Sequence, residues 1–256
     1  AGDKMEAAMA AYGSGAIVNS REVGVVVMNI DIGGGTTKFS ICDRGQISGL
    51  TAIDIGARII SFDSNNIVTR IEESGKHFAD KAKIDLSIGK KISNQACHKI
   101  SENMTDSLME IIKCQKPTKD TEKLLRLPSI KYDKNIDAIT FSGGVSEFIY
   151  GYEKNSFGDL GPYLACSIRK RIEIDDYKIM PPVENIRATV VGASQYTIQL
   201  SGTTIMISDD NILPLRNIPV IKPEFSLDSK VISSSKISTQ VGDALKRLGL
   251  SNTDQP

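Results

Sequence analysis

Apolar, β-branched residues crowd positions 23–30 (VGVVVMNI), the pattern of a buried strand. Strand-like segments follow at 38–42 and 49–55, joined by short turns that carry glycine, so this part of the chain reads as an antiparallel meander. The alanine-rich stretch before it, DKMEAAMAAYGSGA, reads as the tail of a helix that ends near Gly13 or Gly15. Residues 55–62, IGARIISF, open a helical or irregular passage, with Arg58 read as a solvated side chain in preference to an anion contact.

From 94 to 113 the apolar residues Ala96, Ile100, Met104, Leu108 and Ile111 recur every three or four positions. That spacing predicts one buried face of a helix of about five turns at ~3.6 residues each. A methionine-bearing stripe of this kind is core packing before it is cofactor contact. Residues 115–135 are charged and carry two prolines, and read as a connector with one short helix. At 136–149, IDAITFSGGVSEFI, an apolar strand runs into Ser142-Gly143-Gly144 and a helix start. DLGPYLACSIRKRI begins a helix with Pro162 at its first position, where a missing N–H costs least. Residues 185–202 read as a helix whose bare face at Gly192, Ala193 and Ser194 lets another backbone come close. From Pro214 onward the sequence is extended and rich in serine and proline, then ends in a short amphipathic segment, VGDALKRLGL. There is no internal repeat, and this tail lacks the material for a domain.

The chemistry enters at 29–40, NIDIGGGTTKFS, where three glycines and two threonines follow a strand directly. One glycine suffices to turn a corner. Three permit φ > 0 and close approach, so that successive N–H groups can converge on an anion such as phosphate. Thr36 and Thr37 add hydroxyls, and Asp31 supplies a carboxylate for a hydrated divalent cation. The competing reading is an ordinary glycine-rich hairpin. Neither Gly75-Lys76 nor Gly89-Lys90 fits the Walker pattern, and Gly33 and Gly35 lead into a strand where a dinucleotide fingerprint would open a helix. The second junction, at Ser142, Gly143 and Gly144, places N–H groups at a helix start where phosphate or ribose oxygens can bind.

Composition narrows the classes. The 256 residues are 40% hydrophobic and 24% charged, ordinary for one or two globular domains. Thirty-one basic and thirty-one acidic residues leave no net charge, so the footprint of a nucleic-acid binder is missing. Cys42, Cys97, Cys114 and Cys166 form no CxxC pair, which argues against a zinc site or disulfide framework and fits a reducing cytoplasm. With only His77 and His98, a histidine-based metal site or triad has little to draw on. No apolar run approaches the ~20 residues of a membrane span, and the start lacks the order of a signal peptide.

The order of these elements resembles the second half of the actin, heat-shock-chaperone and sugar-kinase ATPase superfamily. The resemblance covers residues 23–202: Asp-Ile-Gly-Gly-Gly-Thr-Thr on a hairpin, Ser-Gly-Gly after a strand, then the Val-Gly-Ala helix. It implies an α/β fold, an actin-like (ribonuclease-H-like) lobe whose mixed sheet has antiparallel hairpins and flanking helices, with a helical insert at about 63–135. The cofactors implied are ATP or ADP and Mg2+. Asp31 then faces magnesium through water and is the best catalytic candidate. Gly33, Gly34, Gly35, Thr36 and Thr37 clamp phosphate, Ser142, Gly143, Gly144 and Val145 contact the nucleoside, and Gly192-Ala193 packs at the hinge.

Longer stretches narrow the resemblance. NIDIGGGTTKFSICDRGQISGLTAIDIGARII, ITFSGGVSEFIYG, FGDLGPYLACSIR and ENIRATVVGASQYTIQLSGTTIMI together are similar to the reactivating factors of ethanolamine ammonia-lyase. Such factors use ATP to exchange damaged cobalamin out of the lyase, and so imply that lyase as partner, no nucleic acid or membrane, and a place in the cytoplasm or a bacterial microcompartment; a homo-oligomer is compatible. The family's first phosphate loop is absent from these residues. The expectation is therefore a fragment: 1–22 the end of a first lobe, 23–210 the second lobe, 211–256 a tail leading onward, with nucleotide binding weak and hydrolysis poor or absent. A filament-forming actin homologue, a sugar kinase, or a docking module without nucleotide are the alternatives.

Overall fold

The computed structural model describes residues 2–195 and 234–247. The chain divides into two units, Ala1–Thr197 and Ile198–Pro256. In the first, helices α1 (Asp3–Gly13) and α2 (Ala16–Glu22) precede strands β1 (Val27–Ile32), β2 (Thr37–Asp43) and β3 (Gln46–Ile53). A small hairpin follows, β4 (Ile60–Phe62) with β5 (Val68–Ile71), then helices α3 (Glu73–Lys81), α4 (Asn94–Ile112) and α5 (Lys119–Glu122). Strand β6 (Ala138–Ser142) returns to the sheet, and helices α6 (Gly144–Ile149), α7 (Gly161–Ile174) and α8 (Ala188–Gln195) complete the unit. The second unit contributes helix α9 (Ser234–Arg247).

The main sheet has the order β3-β2-β1-β6. Antiparallel pairs join β1 to β2 and β2 to β3, while β6 lies parallel to β1. This mixed sheet with hairpins and flanking helices is the α/β lobe architecture that the sequence implied. Alternation along each strand explains how both faces come to be covered. Met28, Ile30, Ile32, Phe39, Ile41, Ile139 and Phe141 are fully buried in the main core, which they share with Ile100, Met104 and Leu108 of α4 and Leu164 and Ile168 of α7. The opposite face carries Val27, Asn29 and Asp31 beside Lys38, Ser40 and Cys42, all of them buried as well. Here α1 lies across the strands, and the Ser40 hydroxyl donates to the Ala7 carbonyl at 2.8 Å.

α1 and α8 pack against each other through glycine. A Cβ on Gly192 would stand 1.8 Å from the Met9 carbonyl oxygen, and one on Gly13 would stand 1.8 Å from that of Ala188. The bare face read at Gly192 is thus used by α1.

Several elements differ from the sequence reading. β1 begins at Val27, because Val23 ends α2 in a helical conformation and is 60% exposed. α2 is missing from the sequence reading: its seven residues, AIVNSRE, are too few to show a period. The passage at 55–62 contains strand β4, and the segment expected as a helical insert also carries its partner β5. α4 matches the predicted stripe, capped by the Ser93 hydroxyl, which accepts from the Ala96 N–H. The reading of 196–202 as helix, and of most of the tail, falls outside the described residues; α9 is longer than the amphipathic segment read there.

Candidate functional site

The site begins where β1 leaves the sheet. Gly33 donates its N–H to the Thr36 carbonyl at 3.0 Å, closing the turn that leads into β2. The Gly33 and Gly34 carbonyls accept from the N–H groups of Ala57 and Arg58, at 3.0 and 2.6 Å, so the loop is braced by the chain beyond β3. Thr37 is buried and donates its hydroxyl to the Ile55 carbonyl at 2.7 Å. The N–H groups of Gly34, Gly35 and Thr36 make no hydrogen bond to a described residue.

The expectation that the three glycines serve left-handed backbone is corrected here, since none of them has positive φ. Nor does packing demand them. A Cβ would meet nothing closer than the Thr36 carbonyl at 3.5 Å from Gly33, the Arg58 side chain at 3.5 Å from Gly34, or Glu72 Oε2 at 3.7 Å from Gly35. Those are ordinary contacts. What the glycines preserve is an open surface with unused donors, the arrangement an anion requires.

Asp31 lies behind this loop and is 6% exposed. The Ser142 hydroxyl donates to its Oδ1 at 2.8 Å, and the Thr189 hydroxyl reaches Oδ2 at 3.5 Å. Asn29 donates in turn to the Ser142 oxygen at 3.2 Å. Opposite Asp31 in the hairpin is Lys38, whose Nζ donates to the Thr36 hydroxyl at 3.0 Å and pairs with Glu6 of α1 at 2.8 Å. The sequence reading missed both Lys38 and Glu6. The register was nonetheless recoverable: a four-residue loop at 33–36 pairs 32 with 37 and therefore 31 with 38.

Burial pushes the Asp31 carboxyl above the usual aspartate range, against the Ser142 hydrogen bond and the Lys38 charge, which pull it down. A carboxyl raised on folding contributes stability that is fully present below its unfolded pKa and is lost as pH rises through the folded one. Asp31→Asn keeps an acceptor for Ser142 and removes the buried charge. It is expected to melt no lower than wild type at pH 7, and to lose ground to wild type as pH falls toward 4. Melting curves of both proteins between pH 4 and 8 check this.

At the second junction Gly143 holds φ 80° and ψ 178° as the residue before α6. A Cβ there would lie 2.5 Å from the Ile32 carbonyl oxygen, so only glycine fits between β6 and the end of β1. Its N–H is used by the Asn185 carbonyl at 3.1 Å. The side chain of Val145 is core, at 1% exposure.

The two junctions meet in one cleft of about 560 Å³, lined by Gly33, Gly34, Gly144 and Val145. Asp31, Ser142 and Thr37 are buried behind its wall, and Gly35 and Thr36 continue the loop beyond it. The far wall is aromatic: Phe148, Phe157 and Tyr152, with Phe148 and Phe157 edge to face at 6.1 Å and the last two more than half exposed. Arg58, read as solvated, lines the cleft and pairs with Asp159. Lys90 pairs with Asp85 and does not line the cleft. Among the described residues no group of three or more His, Cys, Asp or Glu could hold a metal. Asp31 does not line the cleft; the carboxylates that do are Glu147, Glu153 and Asp159. No helix among them is long and apolar enough to cross a membrane.

The chain is 30% identical over 231 residues to the ethanolamine ammonia-lyase reactivase EutA of Salmonella typhimurium (strain LT2), covering 89% of this chain and 49% of that protein. It is also 30% identical over 227 residues to the protein of the same description from Escherichia coli K12, covering 87% and 48%. The chain thus spans about half the length of the curated relatives it matches. Solved structures that match include the ethanolamine utilization protein EutJ of Carboxydothermus hydrogenoformans, at 15% identity and TM-score 0.33 over 73% of this chain and 52% of that one. MreB 5 of Spiroplasma citri bound to AMPPNP matches at 18% identity and TM-score 0.39, over 73% and 56%. Over residues 1–256 the sequence fits the family described as Ethanolamine utilisation protein EutA, and the chain belongs to that family.

Proposed function

We propose that this chain carries the nucleotide-binding side of an ATP-dependent reactivating chaperone for ethanolamine ammonia-lyase, which exchanges damaged cobalamin out of that enzyme. The observation that carries the reading is the convergence of two glycine junctions, 111 residues apart at Asp31 and Ser142, on one cleft with unused backbone donors and an aromatic wall. Donors in the glycine loop suit phosphates, and Phe148, Tyr152 and Phe157 offer apolar faces to a base. Asp31 suits a magnesium ion held through water, the ion supplying neutralisation of phosphate charge. Two relatives described as reactivases support the lyase as partner over a filament or a sugar kinase.

In this reading Gly33, Gly34, Gly35 and Thr36 form the phosphate side, with Asp31 and Thr37 buried behind them, and Gly144 and Val145 form the nucleoside side through their backbone, with Ser142 and Gly143 fixing that turn from behind. Residues 1–22 belong to the end of a first lobe and 211–256 to a tail beyond the second. A partner lyase responds to nucleotide only if it binds the ATP and ADP forms differently.

The test is calorimetric titration of ATP and ADP into the chain, with and without magnesium, for wild type and Asp31→Asn. Binding that magnesium strengthens in wild type, with that strengthening lost in the variant, is the expected result. Nucleotide failing to bind at all would overturn the reading and leave a docking module.

A further inference from the structure

Arg58 is the only cation among the described residues lining the cleft, where Glu147, Glu153 and Asp159 are all acidic. Its backbone is fixed to the glycine loop through the Gly34 carbonyl, and its stem lies beside Gly34, with Cβ, Cγ and Cδ 3.5–3.8 Å from where a Cβ on that glycine would stand. The guanidinium, by contrast, is lightly held. Nε donates to Asp159 Oδ2 at 3.3 Å, the side chain is 62% exposed, and the two terminal nitrogens make no hydrogen bond to a described residue. Arginine binds carboxylate or phosphate best through two parallel N–H bonds, and this single long contact leaves most of its fork unused.

Asp159 is held on its other side. Its Oδ1 accepts the Gly161 N–H at 2.9 Å at the start of α7, and the carboxylate is 4% exposed. Asp159 therefore stays in place whether or not Arg58 leaves it, and competes with any anion in the cleft for the same cation. The neighbouring backbone keeps the two segments together, as the Leu160 N–H donates to the Ala57 carbonyl at 2.9 Å.

We propose that Arg58 is a phosphate-contacting arm of the cleft held in reserve by Asp159, moving from that carboxylate to the phosphates of a bound nucleotide and so distinguishing phosphorylated nucleotides from nucleosides. The proposal rests on the nucleotide reading of the cleft. Two substitutions pull in opposite directions. Arg58→Gln keeps the stem and removes the charge; Asp159→Asn keeps an acceptor for the Gly161 N–H and releases the arginine.

The experiment titrates adenosine, ADP, ATP and inorganic pyrophosphate into the chain and both variants. Losing a charge-assisted contact is expected to weaken ADP, ATP and pyrophosphate by about 10-fold or more in Arg58→Gln, with adenosine unchanged within about 2-fold. Asp159→Asn is expected to tighten the three phosphorylated ligands by about 3-fold, again sparing adenosine. Equal changes for adenosine and ATP, or no change in Arg58→Gln, would overturn the proposal. Should the adenosine-bearing ligands fail to bind while pyrophosphate binds through Arg58, the nucleotide reading falls and the anion arm stands. If none of the four binds, both fall.

Discussion

Gly34→Asp is expected to weaken Mg-ATP binding by about 100-fold while leaving the melting temperature within about 3 °C of wild type. Both halves follow from the geometry. Gly34 is exposed and has no left-handed φ, and its nearest neighbour to a new Cβ is the flexible Arg58 side chain at 3.5 Å. The fold has room for the substitution. The cleft does not, because the new carboxylate would stand among the donors that an anion needs and beside Arg58. Like-charge juxtaposition at a binding surface costs several kcal/mol, and ~2.7 kcal/mol is 100-fold in affinity. Gly34→Asn has nearly the same shape without the charge, and is expected to lose about 10-fold or less. Calorimetric titration paired with thermal melts separates the two effects. Aspartate and asparagine variants that both bind like wild type would move the phosphates off this loop, whatever the rest of the cleft does.

How much of this was legible follows the distance over which a residue finds its partner. The β1–β2 hairpin was readable because its glycine loop and its alternation both lie within 29–43, and α4 because its stripe runs through five turns. Asp31 and Ser142 were each readable as polar residues at the end of a strand. Their hydrogen bond was not, since it joins positions 111 apart through the β1–β6 pairing. Arg58 illustrates the same limit. Alone in IGARIISF it looks like a solvated side chain, and only the fold brings Asp159, 101 residues later, against it. The aromatic wall escaped for a related reason: Phe148 lies near the end of α6, and only the chain that follows the helix brings Tyr152 and Phe157 to the same cleft. The polar face of the sheet shows the same limit: Asn29, Asp31, Lys38 and Ser40 alternate with apolar residues along β1 and β2, yet all four are buried under the cover that α1 supplies.

That cover carries the largest stability effect. Gly192→Ala is expected to cost at least ~3 kcal/mol, lowering the melting temperature by roughly 6–12 °C for a unit of this size. The reason is the 1.8 Å between a Cβ on Gly192 and the Met9 carbonyl oxygen, which is backbone on a helix and cannot rotate aside. α1 and α8 must separate, and both reach the site: α1 holds Glu6 against Lys38, and α8 brings Thr189 toward Asp31. The same alanine at an exposed helix position would stabilise by up to ~1 kcal/mol through propensity, so the sign of the change tests the packing. A melting temperature within 2 °C of wild type would show that the two helices are not in this contact. Gly13→Ala meets the Ala188 carbonyl at the same distance across the same crossing. Combined with Gly192→Ala it should cost less than the two single losses added together, because the first methyl already opens the gap that the second needs.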